Sequence, residues 1–243
     1  METKVLVFDI ETSPIKAYVW GLKDQFISLN QIIEDWKIIA WGAKWLNTPA
    51  SDVMYADSRA LSEKRLLQRI WWLLDAADIV ITQNGKSFDS RRLNARFIHY
   101  GMRPPSPYRH IDTYVLVKSA ADFTSNKLEY LTDKLCVKYK KLSHSKFPGM
   151  TLWTECLKGN ISAWNEMKTY NIHDVLSTEE LYNKIKAWGP KNMPRLYTEI
   201  YRCSACGGKV WKKGTCLSGK RLVQEVQCQN PACGKWGTED LPK

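Results

Sequence analysis

Val5-Leu6-Val7-Phe8 is an apolar run without a polar break, and it predicts a buried strand over residues 4–10. A second strand is predicted over 37–46, where Ile38, Ile39, Ala40 and Trp41 cluster, and a short third over 52–56. Residues 60–76 change period: Leu61, Leu66, Leu67, Ile70, Trp71 and Leu74 recur at helical spacing. Asp78-Ile79-Val80-Ile81-Thr82 reads as a compact strand closed by the turn signal Asn84-Gly85, with a helix over 88–100 after it. Pro104, Pro105 and Pro107 interrupt the pattern. Beyond them the chain predicts a strand near 109–112, helices over 113–121 and 127–136, and a lysine-rich loop over 137–151. A long helix follows from about 162 to 187, stopped by Gly189-Pro190. Residues 189–199 read as a linker, and from Ile200 the chain turns rich in Cys, Gly and Lys. Three strands followed by alternating helices and strands imply a mixed α/β sheet covered by helices. The first two crossings are short enough for antiparallel pairing, and the later ones suit parallel pairing.

Composition adds direction to this outline. At 243 residues the chain can bury one sizeable core and carry a small appendage. No apolar run is long enough to span a membrane. The apolar stretch at the start is too short for a signal peptide, so a cytoplasmic location is expected, in the host cytoplasm if the chain is phage-encoded. The net charge of +11 favours a polyanionic partner, because Lys and Arg release counterions from phosphates, although solubility alone also accounts for such an excess. Some of the eleven tryptophans and eleven tyrosines could stack on unpaired bases. Seven cysteines, five of them between 203 and 233, argue for reduced thiols that bind metal rather than for a disulfide framework.

Three acidic motifs stand in order: Phe8-Asp9-Ile10-Glu11-Thr12, Asn84-Gly85-Lys86-Ser87-Phe88-Asp89 and Tyr170-Asn171-Ile172-His173-Asp174. Asp9 and Glu11 lie two apart on a strand and share a face, with Ile10 on the other. Such a pair repels itself unless a cation lies between, and oxygen ligands of this kind suit Mg²⁺ or Mn²⁺. Taken alone, Asp89 reads as a helix cap. Tyr170 and Asp174, four apart in a helix, read alone as a polar face.

Together the motifs resemble the DEDD superfamily of 3′–5′ exonucleases, which includes the proofreading domains of family B DNA polymerases. The match is Asp9-x-Glu11, Asn84-x₃-Phe88-Asp89 and Tyr170-x₃-Asp174, the tyrosine subclass, and it covers residues 1–188. Thr169 stands where the histidine subclass has its catalytic residue, and His173 is at the wrong offset to replace it. The resemblance implies an RNase H-like fold and a stand-alone, bacteriophage-type nuclease. It implies two Mg²⁺ or Mn²⁺ ions held by Asp9, Glu11, Asp89 and Asp174, with Tyr170 orienting the attacking water. Single-stranded DNA or RNA would be the substrate, DNA favoured, and nucleoside 5′-monophosphates the products. Ile10, Thr12, Asn84 and Phe88 would lie near the terminal nucleotide. For Asn84, holding its own turn is the stronger expectation, and for Phe88 a place in the core. Asp112 would cap a helix or support the metals, the cap being favoured. Read from its residues alone, the stretch Lys138–Lys146, with Lys140 and Lys141, either tracks a phosphate backbone or is a solvated loop, and at least one of Arg91, Arg92 and Arg96 is expected to face the cleft. An idle nucleic-acid-binding or replication accessory protein, and an endonuclease with the same metals, remain the alternatives.

Cys203-x₂-Cys206 and Cys228-x₄-Cys233, 21 residues apart, can present four thiolates to one Zn²⁺ and resemble a zinc ribbon over residues 200–243. Cys216 is the rival ligand. Eight Lys/Arg against three Asp/Glu make this stretch +5. That charge fits nucleic acid, while a polymerase or another replication protein is the other candidate partner.

Overall fold

The computed structural model describes residues 3–142, 146–190, 193–197 and 199–241. Ser143, His144 and Ser145 of the lysine-rich loop lie outside the described residues, as do positions 191, 192 and 198 of the expected linker.

The main sheet has five strands: β1 (Val5–Thr12), β4 (Ile38–Trp45), β5 (Met54–Asp57), β6 (Ile79–Thr82) and β7 (Arg109–Asp112), in the order β5-β4-β1-β6-β7. β1 runs antiparallel to β4 and parallel to β6, as the crossing lengths predict. The strand order therefore reverses at β1, and the open ends of the strands at such a switch point are where α/β sheets place their sites.

Side-chain alternation along β1 organises the molecule. Leu6, Phe8 and Ile10 pack into a core with Leu66, Leu67 and Ile70 of α1 (Glu63–Asp75) and Leu93 and Phe97 of α2 (Asp89–His99). Val5 and Val7 pack on the opposite face against Val175, Leu181 and Tyr182 of α6 (Ile161–Ile185), with Leu116 and Val117 of α3 (Thr113–Ala120) and Leu131 of α4 (Leu128–Leu135) in the same core. Asp9 and Glu11 continue the α6 face, so the period-two pattern that buries Val5 and Val7 also delivers two carboxylates to that helix.

α6 starts where Asn160 Oδ1 accepts the N–H groups of Ser162 and Ala163. Its buried positions Ala163, Trp164, Met167, Tyr170, Asn171, Asp174, Val175 and Thr178 recur every three to four residues. The close approach of α6 to the sheet needs Gly42 on β4: a Cβ there would lie 2.6 Å from Asn171 Oδ1 and 3.1 Å from Val175 Cγ2.

Two elements were not expected. The hairpin of β2 (Lys16–Ala17) and β3 (Ile32–Glu34) projects between β1 and β4, with Trp20, Leu22 and Phe26 fully exposed. Its apolar residues follow no period because they face no core. α5 (Thr151–Leu157) occupies a stretch without an assignment beyond the loop; only Leu152 and Cys156 of it are buried, too few repeats to register as a helix.

The C-terminal sheet is antiparallel, order β10-β9-β8, built from β8 (Val210–Ser218), β9 (Arg221–Cys228) and β10 (Trp236–Asp240). Met193 and Leu196, within the expected linker, are buried in the same core as Tyr182 and Ile185. Lys235 Nζ donates to the carbonyls of Gly189 (2.7 Å) and Lys186 (3.4 Å) in the turn that follows α6, and Arg195 pairs with Glu239 at 2.7 Å. The segment is thus fastened to both units.

Candidate active site and cysteine cluster

Asp9, Glu11, Asp89 and Asp174 converge at the open end of β1, and each is supplied by a different physical cause. Asp9 and Glu11 come from the alternation of β1. Asp89 is the first residue of α2, and it reaches back instead of capping that helix: its Oδ1 accepts the N–H of Ile10 at 3.1 Å. The chain makes this turn through Asn84 in a left-handed conformation, φ 62°, while Gly85 packs on Thr82 with no room for a Cβ. Asp112 holds the turn from the other side, accepting N–H groups from Asn84 and Lys86 as well as from Tyr114 at the start of α3. The favoured capping role for Asp112 is what the structure has. Asp174 comes from α6, one turn beyond Tyr170.

Burial dominates the electrostatics. Desolvation and the neighbouring charges of Asp89, Asp174 and Glu11 raise the Asp9 pKa well above the usual carboxylate range. Glu11 is pushed up to about 8 by burial and then by Asp174, against the pull of the Trp153 indole N–H that donates to its Oε2 at 3.0 Å. Asp89 is pushed up to about 7 by burial, with the Ile10 N–H opposing. Asp174 is also raised by burial, against Lys141, whose Nζ lies 2.6 Å from Oδ2. Oδ1 of Asp174 is buried without a hydrogen-bond partner. Lys141 thus offsets Asp9, Glu11 and Asp174 only in part, all four carboxyl groups resist ionisation, and a carboxylate oxygen is left unsatisfied. This donor set fits hard divalent cations.

Two supporting residues escaped sequence reasoning. Asn171 is fully buried and its Nδ2 donates to Asp9 Oδ2 at 2.7 Å. Trp153 of α5 positions Glu11 and stands edge-on to Tyr170, ring centroids 6.3 Å apart. No pattern marks either one; adjacency to Tyr170 is the only signal Asn171 carries.

The predicted substrate residues divide. Ile10, Thr12 and Phe88 line a cavity of about 460 Å³ beside Glu11, together with Trp36, Arg92 and Trp153. Phe88 is therefore half-exposed at a cavity rather than in the core. Arg92 stacks between Trp36 and Phe88, 4.1 and 5.2 Å from their ring centroids. Arg96 turns away into an ion pair with Glu63, and Arg91 is exposed. Asn84 Oδ1 accepts from Ser87 Oγ at 2.7 Å, which holds its own turn. Lys141 reaches the carboxylates, 4.6 Å from the Tyr170 ring, whereas Lys140 pairs with Asp133 on the surface. His173 is half-buried against Tyr139, and burial lowers its pKa.

In the second unit the Sγ atoms of Cys203, Cys206, Cys228 and Cys233 lie within 4.8 Å of one another. Gly207 (φ 71°) and Gly234 (φ 58°) close the two turns that aim them. Burial opposes ionisation of Cys203, but the N–H groups of Ala205 and Cys206 outweigh it and hold that thiol below its usual pKa. Four convergent sulfurs fit one tetrahedral zinc ion. Among the described residues Cys216 stands outside the group, paired with Val223 across β8 and β9.

A mixed sheet whose carboxylates gather at the end of its central strand defines an RNase H-like α/β protein. A family model of the RNase_H superfamily, RNase_H_2, matches residues 41–186, and the chain belongs to that family. The matched span includes Asp89, Tyr170 and Asp174 and begins after the β1 carboxylates. The family B DNA polymerase from the hyperthermophilic archaeon Pyrobaculum calidifontis is similar in fold over 76% of this chain, with a TM-score of 0.56 and 14% identity. The likeness takes in 25% of the polymerase chain. No curated protein matches. Among the described residues, no helix is long and apolar enough to cross a membrane.

Proposed function

We propose that this protein is a metal-dependent 3′–5′ exonuclease that hydrolyses single-stranded nucleic acid, DNA favoured, and releases nucleoside 5′-monophosphates. The observation that carries the reading is the convergence of four carboxylates, three buried and Asp9 partly so, all with raised pKa, beside a cavity walled by aromatics and one arginine.

Asp9, Glu11, Asp89 and Asp174 would hold two Mg²⁺ or Mn²⁺ ions. When bound, these cations neutralise charge on the scissile phosphate and acidify the attacking water. The protein's own groups do the rest. Burial raises the Tyr170 pKa, so its hydroxyl keeps its proton at neutral pH and can donate it in a hydrogen bond that orients the water. Asn171 and Trp153 fix Asp9 and Glu11 in place. Phe88, Trp36 and Trp153 offer ring faces to the terminal base, and Arg92 keeps a guanidinium at the cavity wall for a phosphate. The cavity volume is in the range of small-ligand pockets, which suits one nucleotide at a time.

The test is a gel assay on single-stranded DNA and RNA labelled at the 5′ end, with Mg²⁺ or Mn²⁺ present or withheld and Asp9→Ala as control. A metal-dependent ladder shortening from the 3′ end, absent in the variant, is expected. Discrete internal cuts would make the protein an endonuclease. Intact substrate held tightly would make it a binding protein.

A further inference from the structure

We propose that the outer face of the β8–β9–β10 sheet is a stacking platform for unpaired bases, so that the cysteine module binds single-stranded nucleic acid rather than a protein. This does not depend on the hydrolytic reading above.

The argument starts from register. Gln227 in the middle strand pairs with Trp211 on one side and with Trp236 on the other. Directly paired residues of an antiparallel sheet project to the same face, so the two indoles flank Gln227. Strands lie about 4.8 Å apart, which sets the two tryptophan backbones about 10 Å from each other. Val226, Cys228 and Glu239 occupy the inner face and are buried. On the outer face Trp211 is 50% exposed and Trp236 45% exposed. A module this small gains most by burying its large aromatics, yet two tryptophans stand outward around a polar residue. Gln227 offers both a donor and an acceptor to a base edge.

The charge around the platform chooses between ligands. Lys213, Lys220 and Arg221 stand on or between the first two strands and Lys209 just before them, whereas Lys212, in register with Val226, lies on the inner face with its Nζ 4.0 Å from the Tyr201 ring. Lys213 Nζ lies 4.9 Å from the Trp211 ring. Of the three acids in the module, Glu239 is taken by Arg195 on the inner face, while Glu225 and Asp240 share the outer face by register and leave the cations in excess there. Lysine is depleted from protein–protein interfaces. Cations around outward aromatics are instead the composition of single-strand grooves, where bases stack and phosphates are neutralised.

The experiment uses the full chain loaded with zinc, carrying Asp9→Ala to prevent cleavage, and a 20-nucleotide fluorescein-labelled single strand read by anisotropy. Stacking is worth about 1–3 kcal/mol per base, about a fivefold or greater effect for each ring. The double variant Trp211→Leu/Trp236→Leu is expected to weaken binding tenfold or more. Trp211→Tyr/Trp236→Tyr, which keeps an aromatic face, should stay within about threefold of the parent. Strands bearing 5-iodouracil should photo-crosslink to peptides containing Trp211 or Trp236. Hydrolysis of a dinucleotide, which offers few bases to stack, should be unchanged by the Leu pair in the chain with Asp9 intact. Parental affinity in the Leu pair would overturn the proposal, as would equal loss in the Tyr pair or crosslinks that avoid both peptides. If the chain proves not to hydrolyse nucleic acid at all, the binding and crosslinking arms still decide the matter.

Discussion

Gly42→Ala tests whether the close approach of α6 builds the carboxylate site. The new Cβ would stand 2.6 Å from Asn171 Oδ1 and 3.1 Å from Val175 Cγ2. Ordinary contact begins near 3.4 Å, so the nearer atom must yield by about 0.8 Å. Asn171 is fully buried and cannot swing into solvent. Either it rotates and gives up its 2.7 Å hydrogen bond to Asp9, or α6 lifts off β4 and carries Tyr170 and Asp174 with it. Overpacking costs about 1–3 kcal/mol, and a lost hydrogen bond to a charged group costs a similar amount. A net loss of about 2–3 kcal/mol would lower Tm by about 4–12 °C for a chain of this size. A shift of about 1 Å in the carboxylates should cost about 100-fold in hydrolysis. Scanning calorimetry and the end-labelled ladder give the two numbers. Adding Asn171→Ala removes the nearest clash, so the double variant should lose less stability than the two single losses summed. A Gly42→Ala protein with parental Tm and rate would refute the reasoning, and so would strict additivity.

Asp9→Ala and Asp174→Ala should each abolish hydrolysis while preserving the circular dichroism of the fold; parental activity in either would remove that residue from the metal assignment. Glu11, near 8, and Asp89, near 7, keep protons in the folded state that the unfolded chain releases near their ordinary values of 4.5 and 3.8. The folded state therefore binds more protons across this window, and without Mg²⁺ stability should be greatest below about pH 4 and fall as pH rises to about 8. Added Mg²⁺ should restore it at pH 8, and a pH-independent Tm without Mg²⁺ would contradict the raised values. Lys141 holds Asp174 Oδ2, so Lys141→Met should lower the Mg²⁺ concentration giving half-maximal thermal stabilisation; a higher requirement would mean the ammonium assists the cation instead of competing with it. Cys228→Ser should bring bound zinc below one ion per chain by elemental analysis and lower Tm, whereas full zinc content would exclude Cys228 as a ligand.

The elements legible in the sequence are those whose period faces a core. β1 announces itself because both its faces are buried, and α1 because Leu66, Leu67, Ile70, Trp71 and Leu74 all meet one layer. Strand alternation and helix periodicity made Asp9 with Glu11 and Tyr170 with Asp174 legible as pairs, but their union with Asp89 in one site came only from the resemblance to the exonuclease superfamily, since Asp89 alone reads as a helix cap. The hairpin of β2 and β3 was not, since its apolar residues point outward. α5 was hidden by its length, with two buried positions in seven residues. Asn171 and Trp153 could not be read from local pattern: their partners Asp9 and Glu11 lie 162 and 142 residues away, and only the packed sheet joins them. The same holds for Lys141, whose neighbour Lys140 looks equivalent in sequence but ends on Asp133.

The lysine that holds the turn after α6 belongs to a strand turn made 46 residues after the carbonyl of Gly189 that it satisfies. On the ribosome, α6 and its carboxylate emerge well before Lys235 does. Until the cysteine turns close, the carbonyls of Lys186 and Gly189 in the turn after the helix wait on water, and the chain that carries Met193 and Leu196 into the core is held from one side alone. The cell's supply of a thiophilic metal would in this way time the final step in maturation of a site built wholly from oxygen ligands.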